Sequence, residues 1–251
     1  MVAKSFARRL RDRETLIGTL QSMHSADVSE MLAGAGYDWL FIDAEHGAFT
    51  PEQAKPLLQA ASPTPCLIRI PSRDDIWIKK ALDIGAAGII VPQINTADEV
   101  EQVIRSARYA PQGARGIGIG RAHAYGARFE DYLASANEDT VVVIQAETRL
   151  AVDNIEAIVS VPGVDAILIG PYDLSASLGK PGQVNDAGVL EAMQSVRDAC
   201  LDKKLALGFF GVSPEAVRPW MEQGFTLITV GVDTLFLLSS AQNTLAALKS
   251  N

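Results

Sequence analysis

Four apolar runs in this chain end in polar residues whose types suit carbon-acid chemistry. WLFID leads into Asp43, Glu45 and His46, LIRI carries Arg69 at its end, VVVIQAE delivers Gln145 and Glu147, and AILIGPYD delivers Gly170 and Asp173. Glu147 and Asp173 offer hard carboxylate oxygens, which suit an octahedral divalent ion such as Mg2+ or Mn2+ and leave positions open for water or a chelating substrate. His46 is suited to moving protons near neutral pH. Arg69 is a fixed cation that can stabilise a developing enolate or hold a carboxylate. Each residue alone has a plainer reading. An Asp after a strand is commonly a cap or turn residue, and Arg69 could balance Glu147 and Asp173 in a buried ion-pair cluster. Their coincidence at four strand ends favours a site.

Those ends belong to a longer series. Candidate strands are 16–20, 39–43, 67–70, 88–92, 141–146, 166–170, 205–210 and 227–231, all rich in Val, Ile and Leu without polar alternation. That is the pattern of parallel strands buried on both faces. Between them lie helix starts: Thr50-Pro51-Glu52-Gln53 and Thr96-Ala97-Asp98-Glu99 read as capping boxes, and Ser213-Pro214-Glu215 opens a helix in the same manner. Alternating strands and helices predict an α/β fold, a single-domain (β/α)8 TIM barrel spanning residues 1–251, in which all strand ends meet at one rim. The interval between the fourth and fifth strands is too long for one helix. It holds the Gly-rich GARGIGIGRAHAYG, expected to be an excursion with a flexible turn; GIGIG lacks the GK[ST] of a phosphate loop.

Composition narrows the function classes. With 22 Lys+Arg against 30 Asp+Glu, the net charge of −8 makes a poor nucleic-acid binder. Arg8, Arg9, Arg11 and Arg13 alternate with acids and read as a solvated helix face. No apolar run reaches membrane-spanning length, and the N-terminus lacks the apolar core of a signal peptide, so a soluble cytoplasmic chain is expected. Cys66 and Cys200 lie far apart and read as buried free thiols. Lysines occur at 4, 55, 79, 80, 180, 203, 204 and 249, none within a candidate strand, which disfavours a Schiff-base mechanism.

Weaker candidates remain. His24 follows the first strand and could approach the rim. His123 in the Gly-rich excursion reads as a loop residue or a substrate contact. Asp83 closes a helical pattern before the fourth strand, which places it at the opposite rim, where a catalytic role needs another subunit.

The segments FIDAEHG, LIRIP, ALDIGAAGIIVP, IQAETRLAVDNI and GVDAILIGPYDLSASLG closely resemble the HpcH/HpaI aldolases, metal-dependent class II pyruvate aldolases. The resemblance runs from about Thr15 to Gly231. It implies that His46 is the base, Arg69 the transition-state-stabilising arginine, and Asp83 the acid that raises the histidine's basicity across a subunit interface. It implies that Glu147 and Asp173 hold the metal (Mg2+ or Mn2+, with Co2+ also admissible). Gln145, Gly170 and Tyr172 would contact substrate; relatives commonly carry a small residue where Tyr172 stands. The implied reaction is reversible cleavage of a 4-hydroxy-2-oxo acid to pyruvate and an aldehyde, in a homo-oligomer, trimer or hexamer. The amphipathic segment after residue 231, with Leu235, Phe236, Leu238 and Leu245, reads by default as the eighth barrel helix on its own chain; the resemblance implies that it is exchanged between subunits. Two rival readings are another metal-enolate lyase, CoA-ester or decarboxylating, and a non-catalytic metabolite-binding barrel. A CoA phosphate would have to use Arg115 and Arg121.

Overall fold

A computed structural model describes residues 4–249. In chain order the elements are α1 (Phe6–Arg11), β1 (Leu16–Gln21), α2 (Ala26–Gly34), β2 (Trp39–Asp43), α3 (Pro51–Ala60), β3 (Cys66–Arg69), α4 (Asp75–Asp83), β4 (Gly88–Val91), α5 (Ala97–Ala107), α6 (Phe129–Asp139), β5 (Val141–Ala146), α7 (Arg149–Asp153), α8 (Ile155–Val159), β6 (Ala166–Ile169), α9 (Pro171–Ser177), α10 (Ala187–Asp202), β7 (Ala206–Gly211), α11 (Pro214–Met221), β8 (Leu227–Val232) and α12 (Asp233–Lys249). The strands pair in parallel in sequence order and close on themselves as a (β/α)8 barrel. Each strand lies within a residue or two of its expected bounds, because continuous Val/Ile/Leu runs are stable only between an inner and an outer apolar layer.

The two layers are visible in the side chains. Leu16, Leu20, Trp39, Phe41, Leu67, Val143, Leu168 and Leu227 share one cluster inside the barrel. Their strand neighbours Leu40, Ile42, Ile68, Ile144 and Ile228 join a second cluster under the helices. Phe41 is 1% exposed, and burial of such a side chain contributes roughly 1.5–3 kcal/mol. The expected caps form: Gln53 and Glu99 accept from the backbone N–H of Thr50 and Thr96, and Ser213 accepts from Ala216 N.

Helix α1 closes the barrel floor with Ala7 and Leu10, while Phe6 lies beside Trp39. Its arginines are not simply solvated, as the sequence suggested. Arg9 pairs with Asp38 and Arg11 with Asp165, tying the helix to the bottoms of β2 and β6.

The long excursion after β4 is pinned at both flanks rather than loose. Arg115 pairs with Asp83, and Arg121 donates to the carbonyls of Ile84 and Leu58. A 3-10 turn at Arg121–Gly126 and helix α6, which opens without a side-chain cap, complete it.

Helix α12 departs from the default expectation. It does not pack as the eighth barrel helix. Asp233 is buried, accepting from the N–H groups of Ser22, Met23 and Thr234. Beyond it the helix is exposed, with Leu237 and Leu248 at 64% and 74%. On β1, the outward-facing Ile17 is correspondingly uncovered at 37%. Cys66 and Cys200 are buried free thiols. Among the described residues no helix is long and apolar enough to cross a membrane.

Candidate active site

Parallel pairing of β2 with β3 sets Asp43 directly beside Arg69 at the C-terminal rim. Both residues are on the inner face, because they continue the alternation of Trp39, Phe41 and Leu67. Arg69 donates through Nε (2.9 Å) and Nη2 (2.7 Å) to the two carboxylate oxygens of Asp43. Its Nη1 lies 3.1 Å from Glu45, and the guanidinium sits 5.2 Å from the Phe41 ring centroid. Burial works against the Arg69 charge, but the Asp43 hydrogen bonds and the charges of Asp43, Glu45 and Glu147 outweigh it and hold its pKa above the ordinary value. Burial likewise pushes the Glu45 carboxyl up, against the opposing charges of Arg69 and His46. The plainer reading, in which Arg69 pairs with Glu147 and Asp173, does not hold: its bonded partners are Asp43 and Glu45. Asp43 also accepts from the backbone N–H of Glu45 and His46, so one carboxylate sets both the arginine and the turn that carries His46.

Glu147 follows the end of β5 and is 1% exposed. Its Oε1 accepts from the backbone N–H of Gln93 at 2.7 Å, and its Oε2 from the side-chain amide of Gln145. Burial pushes its carboxyl up to about 7; the Gln93 N–H opposes this, and the charges of Asp173 and Glu45 add to it. Gly170, between β6 and α9, leaves the space beside these groups open. A Cβ there would stand 2.9 Å from both Gln145 Nε2 and Glu147 Oε2. Asp173 lies in the first turn of α9.

A cavity of about 260 Å³ joins the strand ends, lined by His46, Arg69, Gln145, Gly170, Tyr172 and Asp173 over a floor that includes Leu20, Phe41, Leu168 and Phe210. Glu147 lies immediately behind Gln145 and Gly170. The donors suit a hard divalent ion: the Asp173 carboxylate lines the cavity and the desolvated Glu147 carboxylate stands at its back, with Arg69 already engaged elsewhere. Among the described residues no cluster of three or more His, Cys, Asp or Glu could hold a metal; two carboxylates alone would leave most positions of an octahedral ion to other ligands.

The other candidates fall outside this cavity. Asp83 pairs with Arg115 at 2.8 Å near the opposite rim. His24 is at the rim, 6.3 Å from the Phe49 ring. His123 does not line this cavity. It is fully buried against Phe129 and Tyr132, and burial lowers its pKa. Sequence reasoning missed Gln93, whose contribution is a main-chain N–H and leaves no trace in residue type. It also missed the apolar floor, which looks like any barrel interior until the strand register is known.

Residues 19–240 match the HpcH/HpaI aldolase/citrate lyase family. The chain is 40% identical over 251 residues to a 4-hydroxy-2-oxovalerate aldolase of Rhodococcus jostii, covering 97% of this chain and 95% of that protein. It is 35% identical over 254 residues to a 2-keto-3-deoxy-L-rhamnonate aldolase of Salmonella gallinarum, covering 100% and 95%. The crystal structure of a family protein from Burkholderia cenocepacia superposes with a TM-score of 0.94 at 37% identity, covering 97% and 98%. The chain therefore belongs to the HpcH/HpaI aldolase/citrate lyase family. It is a carbon–carbon lyase of the aldolase type.

Proposed function

We propose that this chain is a metal-dependent pyruvate aldolase that reversibly cleaves a 4-hydroxy-2-oxo acid to pyruvate and an aldehyde. The observation that carries this reading is the convergence of His46, Arg69, Gln145 and Asp173 on one small cavity, with the buried Glu147 carboxylate at its back. Glu147 and Asp173 would hold Mg2+ or Mn2+. The bound ion supplies Lewis-acid polarisation of the keto oxygen, lowering the cost of an enolate. Arg69, oriented by Asp43, stabilises negative charge on the enolate oxygen. His46 takes the proton from the C4 hydroxyl in cleavage, and from the pyruvate methyl in the synthetic direction. Gln145 and the open space at Gly170 position the carboxylate end, and Tyr172 borders the aldehyde end. No lysine lines the cavity, in keeping with a route that forms no Schiff base.

Asp83 is assigned to the cavity of a neighbouring copy in a trimer or hexamer, with α12 exchanged between copies. The exposure of α12 and of Ile17 on β1 supports the exchange of α12. The CoA reading loses ground, because Arg115 and Arg121 are both committed to partners within the chain. Pyruvate release from a panel of hydroxy-keto acids, with and without Mg2+ or Mn2+, tests the proposal. Metal-dependent release is expected; release only from CoA esters, or none at all, would overturn it.

A further inference from the structure

Gln93 directs its main-chain N–H at Glu147 only because its backbone is left-handed, with φ of 56°. A residue bearing a β-carbon rarely adopts this conformation unless its surroundings hold it there. The chain after β4 shows what holds it. The side-chain amide of Asn95 donates to the Gln93 carbonyl at 3.1 Å, and its oxygen accepts from the Thr148 hydroxyl. Asn95 is fixed from two further sides. Its N–H donates to Glu99 at 2.7 Å, and its carbonyl accepts from Asn154 Nδ2 at 2.8 Å. Thr148 is the residue after Glu147.

The bonds therefore close a ring. It runs from the Glu147 carboxylate to Gln93 N–H, from Gln93 C=O to the Asn95 amide, from there to the Thr148 hydroxyl, and back along the chain to Glu147. Both faces of the Asn95 amide are used in their only consistent sense, donor toward the carbonyl and acceptor from the hydroxyl. We infer that Asn95 is a positioning residue of the metal site. By holding Gln93 in its left-handed conformation and bracing Thr148, it fixes the rotamer of the Glu147 carboxylate, with one oxygen held by the Gln93 N–H and the other beside the Gln145 amide at the back of the cavity. The inference rests on the reading of Glu147 and Asp173 as the residues that hold Mg2+ or Mn2+.

The test is direct titration of the 251-residue chain with Mn2+ alone, read by the electron paramagnetic resonance of free Mn2+, with thermal melting of the metal-free proteins in parallel. Ligand-orienting partners typically contribute 10–100-fold in metal affinity. Asn95→Ala is expected to weaken Mn2+ binding by about tenfold or more. Thr148→Val opens the ring at its other joint and should weaken binding in the same direction. Thr148→Ser keeps the hydroxyl and should bind more tightly than Thr148→Val. Unchanged Mn2+ affinity in Asn95→Ala, whatever its melting temperature, overturns the inference. If Asn95→Ala does not fold, equal affinities for Thr148→Val and Thr148→Ser overturn it. Glu147→Ala separates the two levels. If it leaves Mn2+ binding intact, the metal-site reading itself fails; if it abolishes binding while Asn95→Ala does not weaken it, only the ring's role fails.

Discussion

Asp43 and Arg69 face each other across neighbouring strands, and Arg69 donates two hydrogen bonds of 2.9 and 2.7 Å to the Asp43 carboxylate. A two-pronged pair fixes the guanidinium plane as well as its position, which a lysine cannot reproduce. Arg69→Lys is expected to lower kcat for pyruvate release by roughly 10²–10³-fold, the usual cost of one misplaced donor to a developing oxyanion. Asp43→Ala leaves a buried guanidinium charge without its main partner, a change that costs about 3–5 kcal/mol. At roughly 2–4 °C per kcal/mol for a chain of this size, its melting temperature should fall by about 10 °C. Steady-state kinetics and thermal melts check both. A Lys variant with full kcat would remove Arg69 from the chemistry.

His46 is exposed in the cavity mouth, and its removal should leave the fold intact. His46→Ala is expected to slow both retro-aldol cleavage and proton exchange at the pyruvate methyl by roughly 10²–10⁴-fold, with the melting temperature within about a degree of the parent. Exchange of pyruvate methyl protons in D2O, followed by NMR, is the cleaner readout because it needs no aldehyde. Exchange at the parent rate would assign the base elsewhere.

Treatment with EDTA should abolish activity, and Mg2+ or Mn2+ should restore it. Glu147→Gln and Asp173→Asn should each require far more metal for half-maximal activity. Full turnover after exhaustive chelation would rule out the metal-dependent route.

Burial pushes the Cys66 and Cys200 thiols up to about 12. A pKa near 12 leaves only about one thiol in ten thousand ionised at pH 8, and the thiolate is the reactive form. A disulfide reagent such as DTNB should titrate neither thiol in native protein and both in guanidinium. Fast labelling of either in the native state contradicts the packing around it.

Sedimentation velocity should show an oligomer, and removal of residues 234–251 should shift it to smaller species with lower activity. Asp83→Asn should lose activity without changing sedimentation. Equal parts of Asp83→Asn and His46→Ala, unfolded and refolded together, should regain part of the activity that each lacks, because some cavities then receive an intact pair. A stable, active monomer would end both the exchange of α12 and the shared role of Asp83.

The barrel was readable in the sequence because every strand is apolar on both faces, and Thr50, Thr96 and Ser213 mark helix starts with their own side chains. Arg69, Glu147 and Asp173 were readable as strand-end polar residues. What could not be read was which of them touch. The Arg69–Asp43 pairing depends on register between β2 and β3, and register is a property of two strands together. Gln93 was invisible for a different reason: its N–H is common to all residues but proline, and only its left-handed backbone aims it. The default reading of α12 failed because apolar residues along a helix signal a face to be buried without specifying what covers it.

Gly170 contributes by the volume it does not fill. A methyl group there would lie against Gln145 Nε2 and Glu147 Oε2, at the back of the cavity. In kinetic terms, Gly170→Ala would behave as an enzyme with an irreversible blocker tethered in its own backbone. Its effective concentration could not be diluted, and no amount of substrate could displace it.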